Sequence, residues 1–153
     1  MATEPAERIE ELLDRVLDAC DVDGEVEVEE DEERLRANVE GDDLGLLIGR
    51  HGQTIDALEH LAVRIAFHGE SARKRVVIDA AGYRERRAEV LERQADRAVD
   101  EAVQYGRPVA LDAMVASERR VVHEYLRDRR DVETYSEGEE PDRHLVIAPV
   151  IAD

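Results

Sequence analysis

The chain has no tryptophan, one phenylalanine, a single lysine and a single cysteine, Cys20. One thiol forms no internal disulfide and offers no second thiolate to a metal, so Cys20 is expected as a small buried hydrophobe. No stretch approaches eighteen apolar residues, and residues 1–5 lack the basic segment and apolar core of a signal peptide. These absences predict a cytoplasmic protein that does not insert into a membrane. Signatures of catalysis are missing too. There is no Gly-x-Ser-x-Gly, and Ser71, Ser117 and Ser136 have no evident partner base. The five histidines (His51, His60, His68, His123 and His144) fall at no zinc spacing, and His60 and His68 are expected on the surface of one helix. The sequence therefore predicts no catalytic residues, no metal, no cofactor and no enzyme.

What the chain has in excess is acid, with a net charge of −18. Nucleic-acid affinity comes largely from basic groups on phosphates, so this charge opposes nucleic-acid binding unless it is unevenly spread. It is uneven. Residues 1–43 hold 18 Asp and Glu against 4 Lys and Arg, whereas residues 44–130 hold 14 against 16. A basic cluster in the later stretch can still be locally electropositive. All of its basic residues except Lys74 are arginines, which suit bidentate phosphate contacts and base stacking.

Ile9, Leu12, Leu13, Val16, Leu17 and Cys20 recur at helical spacing, with Thr3 and Pro5 as cap and first-turn residues. Val26 and Val28 alternate with glutamates, and after an acidic turn near Asp31 so do Leu35, Ala37 and Val39 with polar residues, predicting a hairpin. Its glutamates are read as a solvated sheet face. A glycine loop follows between two helical stretches, the second through Ile55, Leu58, Leu61, Ala62 and Ile65. Val76, Val77 and Ile78, after Arg73-Lys74-Arg75, predict a strand, closing an α-β-β-α-α-β unit near Ala80. Residues 83–105 contain no proline or glycine, and Val90, Leu91, Ala95, Ala98, Val99, Ala102 and Val103 mark one side of a long helix. Beyond Gly106 and Pro108 come a short strand at residues 109–111, a helix over 116–127 with Val121, Val122 and Tyr125 apolar, and strands at 132–135 and 144–147. The fold class expected is α+β, with one domain over residues 1–81 and a second over 82–153 that includes the long helix.

Two short patterns carry chemistry. Gly49-Arg50-His51-Gly52 lies between two helices, where glycines permit unusual dihedrals and a close backbone approach, so that backbone N–H groups and a helix N-terminus can meet a phosphate. A plain corner between helices has the same pattern. A P-loop is excluded because no Gly-Lys-Ser/Thr follows, and a dinucleotide-binding turn because no parallel βαβ unit surrounds it. Arg119 and His123 stand four apart on a predicted helix, hence on one face, where together they can grip a phosphate or a base. That spacing also arises by chance in an arginine-rich chain, leaving a surface arginine beside a capping or half-buried histidine.

Taken together, "GLLIGRHGQTIDALEHL", "VVIDAAGYRERR", "ERRVVHEYL" and "ETYSEGEEPDRHLVIAP" resemble the Jag family of bacterial KH and R-x-x-x-H proteins in order and spacing over residues 35–149. The resemblance implies a type II KH domain (α-β-β-α-α-β) followed by an R-x-x-x-H domain (long helix, then β-α-β-β). It further implies a single-stranded RNA-binding protein, with single-stranded DNA an allowed ligand. The implied role is an RNA chaperone or post-transcriptional regulator linked to cell elongation and cell-wall homeostasis. Implied partners are a small KH-domain protein or a second copy of the chain. The other reading is a protein-interaction adaptor whose KH fold mediates dimerisation. Carried onto this chain, the RNA-binding residues are Gly49, Arg50, His51 and Gly52 with Ile48 and Ile55 beside them, then Arg119, Arg120, His123 and Arg143. Two aromatics common in the family are here Ser117 and Asp142, and an extra N-terminal domain that many members carry has no counterpart in these 153 residues. The resemblance therefore implies weaker stacking on bases.

Overall fold

The computed structural model describes residues 3–68 and 74–151, and it divides into two compact units, residues 1–84 and 85–153. Ser71 and Arg73 lie outside the described residues. Elements follow the order α1 (Glu4–Ala19), β1 (Glu25–Glu30), β2 (Arg34–Glu40), α2 (Gly45–Ile48), a 3-10 turn (Arg50–Gly52), α3 (Gln53–Ala66), β3 (Arg75–Ala80) and α4 (Tyr83–Tyr105). They continue with β4 (Val109–Ala110), α5 (Ala116–Leu126), β5 (Val132–Glu137) and β6 (His144–Pro149). This is an α+β fold, as the periodicities predict.

In the first unit the strands lie in the order β1-β2-β3, antiparallel then parallel. A parallel pair needs a crossover, and α2 with α3 supplies it. Period-two alternation sends Leu35, Ala37 and Val39 inward beside Val76, Ile78 and Ala80. Against them pack Ile9 and Leu13 from α1 and Ile55 from α3, each with no exposed surface. Enclosing each of these side chains stabilises the unit by about 1.5–3 kcal/mol. Thr3 caps α1 by accepting from the Ala6 amide, and Pro5 occupies its first turn, where a missing N–H costs nothing. The hairpin turns at Asp31, whose Oδ1 accepts from the amides of Glu33 (2.8 Å) and Arg34 (2.7 Å). Glu25, Glu27 and Glu29 are exposed on β1, as a solvated face requires.

The second unit holds most of α4, α5 and a sheet in the order β4-β6-β5, antiparallel throughout. Because β6 is the middle strand, Leu145, Val146, Ile147 and Ala148 are all buried, which explains a run without alternation. Leu91, Ala95, Ala98, Val99 and Ala102 form the buried side of α4, close-packed with Val122, Leu126 and Ile147. Arg87 of α4 reaches Glu118 of α5 through Nε (2.6 Å), a pair almost closed to solvent. Losing Arg87 strands the enclosed Glu118 carboxylate and costs about 3–5 kcal/mol.

Several expectations are corrected. Cys20 is exposed, because α1 ends at it and its side chain falls beyond the last turn facing the core. His68 lies past the end of α3 at φ 49°, so only His60 is on the helix surface. Val103 is 49% exposed, as it lies beside the buried stripe of α4 and not on it. Tyr125 faces outward, its hydroxyl donating to Asp96 at 3.0 Å, which raises the phenol above its ordinary range. Among the described residues no helix is long and apolar enough to cross a membrane, and no group of His, Cys, Asp or Glu is placed to hold a metal.

Candidate nucleic-acid interface

The first candidate site is made by backbone. Gly49 adopts φ 72° and ψ 179°, and Gly52 φ 79°. Both lie in territory that favours glycine. Space excludes a side chain as well: a Cβ on Gly49 would overlap Thr54 Oγ1, and one on Gly52 would stand 2.9 Å from Tyr83 Cε1. His51, between them, also has a positive φ of 53°. A non-glycine residue held there stores strain, which clusters at ligand-binding loops. The turn leads straight into α3, whose N-cap is Gly52 and which has no side-chain cap, so its first-turn amides stand at the loop. Arg50 and His51 are exposed, and among the described residues neither side chain has a hydrogen-bond or ion-pair partner. Ile48 is half-buried beside the loop. Ile55 is wholly enclosed, so it supports the loop from the core and is corrected as a contact residue.

The second candidate site is made by side chains. Arg119, Arg120 and His123 from α5, Thr134 and Ser136 from β5, and Arg143 just before β6 line one open hollow of about 360 Å³. Helical spacing and strand alternation bring them together: Thr134 and Ser136 lie on the same side of β5 as buried Val132. His123 Nδ1 stands 2.5 Å from Thr134 Oγ1. Arg143 donates from Nη1 to the Gly138 carbonyl (2.6 Å), which closes the β5–β6 turn and leaves the rest of its guanidinium for the hollow. Arg120 is exposed and has no ion-pair partner among the described residues.

Arg119 departs from the expectation of a surface grip. It is 9% exposed. Its Nη1 donates to the Met114 carbonyl at 2.7 Å and pairs with Glu140 at 2.9 Å, so it ties the segment before α5 to the β5–β6 turn. The arginine of the pair is a clamp, and the exposed cation beside it is Arg120. Sequence reasoning also missed Thr54, Thr134 and Ser136. Alternation in Val132-Glu133-Thr134-Tyr135-Ser136 signals two hydroxyls on one side of a strand, but not that α5 stands opposite them.

The family model described as KhpA/KhpB, KH domain matches residues 6–78, and the R-x-x-x-H domain model matches residues 89–149. The chain is 41% identical over 140 residues to the RNA-binding protein KhpB of Clostridium symbiosum, covering 90% of this chain and 63% of that protein. To its namesake in Lactiplantibacillus plantarum it is 43% identical over 104 residues, covering 68% and 32%. To the one in Bacillus subtilis it is 32% identical over 147 residues, covering 95% and 71%. The chain belongs to the KhpB family. It spans less than two thirds of the length of the first two of these relatives. Within a KhpB-type sequence, the glycine loop falls inside the KH match and the hollow inside the R-x-x-x-H match, so each candidate site has a domain of its own.

Proposed function

We propose that the chain binds single-stranded RNA, with the loop at residues 49–52 receiving backbone phosphates and the hollow around Arg120, His123 and Arg143 taking a further nucleotide. The observation that carries this reading is the loop: backbone that only glycines tolerate, two exposed side chains able to donate to phosphate, and an uncapped helix start, all at one point. KH domains hold about four nucleotides of single strand in this way. Arg120 supplies a full positive charge to the hollow, and His123 and Thr134 supply hydrogen-bonding groups that either a phosphate or a base edge satisfies. The chemistry is recognition and not turnover. In keeping with its family, the chain is read as a cytoplasmic RNA chaperone or post-transcriptional regulator bearing on cell elongation and cell-wall homeostasis, with a small KH-domain protein as a partner.

The test is the double substitution Arg50→Asp with His51→Asp, read by fluorescence anisotropy with a labelled oligoribonucleotide. Two carboxylates facing phosphates oppose binding by on the order of a kcal/mol each, so affinity is expected to fall at least about tenfold, while exposed substitutions leave the melting temperature nearly unchanged. Unchanged affinity in a folded variant removes the loop from the mechanism. The adaptor reading draws on Leu46 and Leu61, which are 63% and 43% exposed on the first unit. Loss of a partner on Leu46→Ser, with RNA binding intact, favours it.

A further inference from the structure

Tyr83 and Arg84 fall between the two matched regions, after residue 78 and before residue 89. They open α4, yet both belong to the first compact unit. The Tyr83 ring stands directly against Gly52, close enough that a methyl group there would meet Cε1 at 2.9 Å and Cζ at 3.6 Å. Arg84 spreads its guanidinium over three groups: Nε donates to the Ile78 carbonyl (2.8 Å), Nη1 to Asp56 Oδ1 (2.9 Å) and Nη2 to Glu59 Oε2 (2.8 Å). Glu59 Oε2 also accepts the Ile78 amide at 3.0 Å. The free edge of β3 is thereby satisfied at Ile78 on both its N–H and its C=O. Asp79 Oδ1 accepts the Arg84 amide at 3.2 Å and fixes the start of the helix.

We infer that Tyr83 and Arg84 are positioning residues for the glycine loop, and that the first turn of α4 sets where the loop backbone stands and hence how tightly it holds single-stranded RNA. The inference rests on the reading of the loop as a phosphate site. Gly52 is at once the last loop residue and the N-cap of α3, with Asp56 one turn further on. A bolt from Arg84 to Asp56 and a ring beneath Gly52 therefore fix the loop from two sides. Neither residue touches the ligand. A Gly-x-x-Gly loop is pliable by composition, and ordering it before the ligand arrives removes a cost of binding.

The experiment uses the full chain with Tyr83→Ala, Tyr83→Phe and Arg84→Lys, with Leu13→Ala as a control that weakens the same core from α1. Binding is read by anisotropy with a labelled oligouridylate, and loop order by hydrogen exchange at the amides of residues 49–52, below all melting temperatures. Expected are a loss of about tenfold in affinity for Tyr83→Ala with faster exchange in the loop, retention within about twofold for Tyr83→Phe, and no loss for Leu13→Ala. If Tyr83→Ala does not fold, Arg84→Lys, which gives up the three-way fork, is held to the same expectation. Affinity within about twofold of the parent for Tyr83→Ala and Arg84→Lys overturns the inference when Arg50→Asp with His51→Asp still lowers affinity at least about tenfold. If that double variant binds normally as well, the loop reading fails and the inference with it. A loss in Leu13→Ala equal to that in Tyr83→Ala also overturns it, since general weakening of the unit then suffices.

Discussion

The two candidate sites are built from different materials. In the first unit the candidate element is a turn of backbone, set by two glycines and a strained histidine, on a body whose first 43 residues carry 18 acids against 4 bases. In the second it is a cluster of side chains drawn from a helix, a strand and a turn, held by a buried arginine clamp. A backbone site depends on what is absent from the glycines, because a side chain at either would close the approach to its amides. A side-chain site depends on packing that holds cations side by side. The first should fail by steric insult at one residue, and the second by loss of support.

The sharpest break in this comparison is Gly49→Ala. A Cβ there overlaps Thr54 at a backbone conformation closed to alanine, so the variant is expected to lose about 1–3 kcal/mol of stability and most of its RNA affinity. Urea melts and anisotropy check both, and the second unit should be untouched. A variant that keeps full affinity would show that the loop geometry is dispensable. Arg119→Ala ranks next. It leaves the Met114 carbonyl without its donor, whereas the exposed Glu140 is taken up by water, and is expected to destabilise the second unit by about 1–3 kcal/mol. Its effect on affinity should vanish at temperatures where that unit is folded and Arg143 remains in place. A large loss of affinity without loss of stability would return Arg119 to the role of direct contact.

The smallest expected effect is in acid, and it touches both units. Glu30 is held below the usual carboxylate range by hydrogen bonds from Lys74 and Thr3, Asp31 by the amides of Glu33 and Arg34, and Asp131 by Arg129. Because these folded-state values are depressed, the unfolded chain takes up protons first as pH falls. Their stabilisation is complete above the ordinary range near pH 4 and is lost as pH drops through the lower folded values. All three carboxylates are open to solvent, so the melting temperature should slip only modestly below pH 4. Asp31→Asn should flatten that slope for the first unit and Asp131→Asn for the second. An unchanged slope in both would mean that other groups govern the acid limit.

Much of this was legible from residue order. The α1 register with its Thr3 cap, the hairpin turning at Asp31 and the glycine loop ahead of α3 all follow from local chemistry, because helical period, strand alternation and glycine dihedrals act over a few residues. The Arg119 and His123 spacing placed both on one face of α5, as helical geometry demands. What spacing left open was which side of that face meets solvent. Arg119 turned out to be enclosed, tied to the nearby Met114 carbonyl and to Glu140, which is distant in sequence. Cys20 erred in the other direction, continuing an apolar period one step past the end of its helix.

By itself the sequence determined the elements, their order and the backbone chemistry of the loop, since these depend on steric limits within a few bonds. Only the tertiary structure decided which arginine is free and which is a clamp, that Thr134 and Ser136 face α5, and that Tyr83 lies under Gly52. Each of those depends on segments some ten to thirty residues apart being brought into contact. Burial, which turns a charged side chain from a ligand contact into a structural support, is a property of those contacts and not of any residue alone.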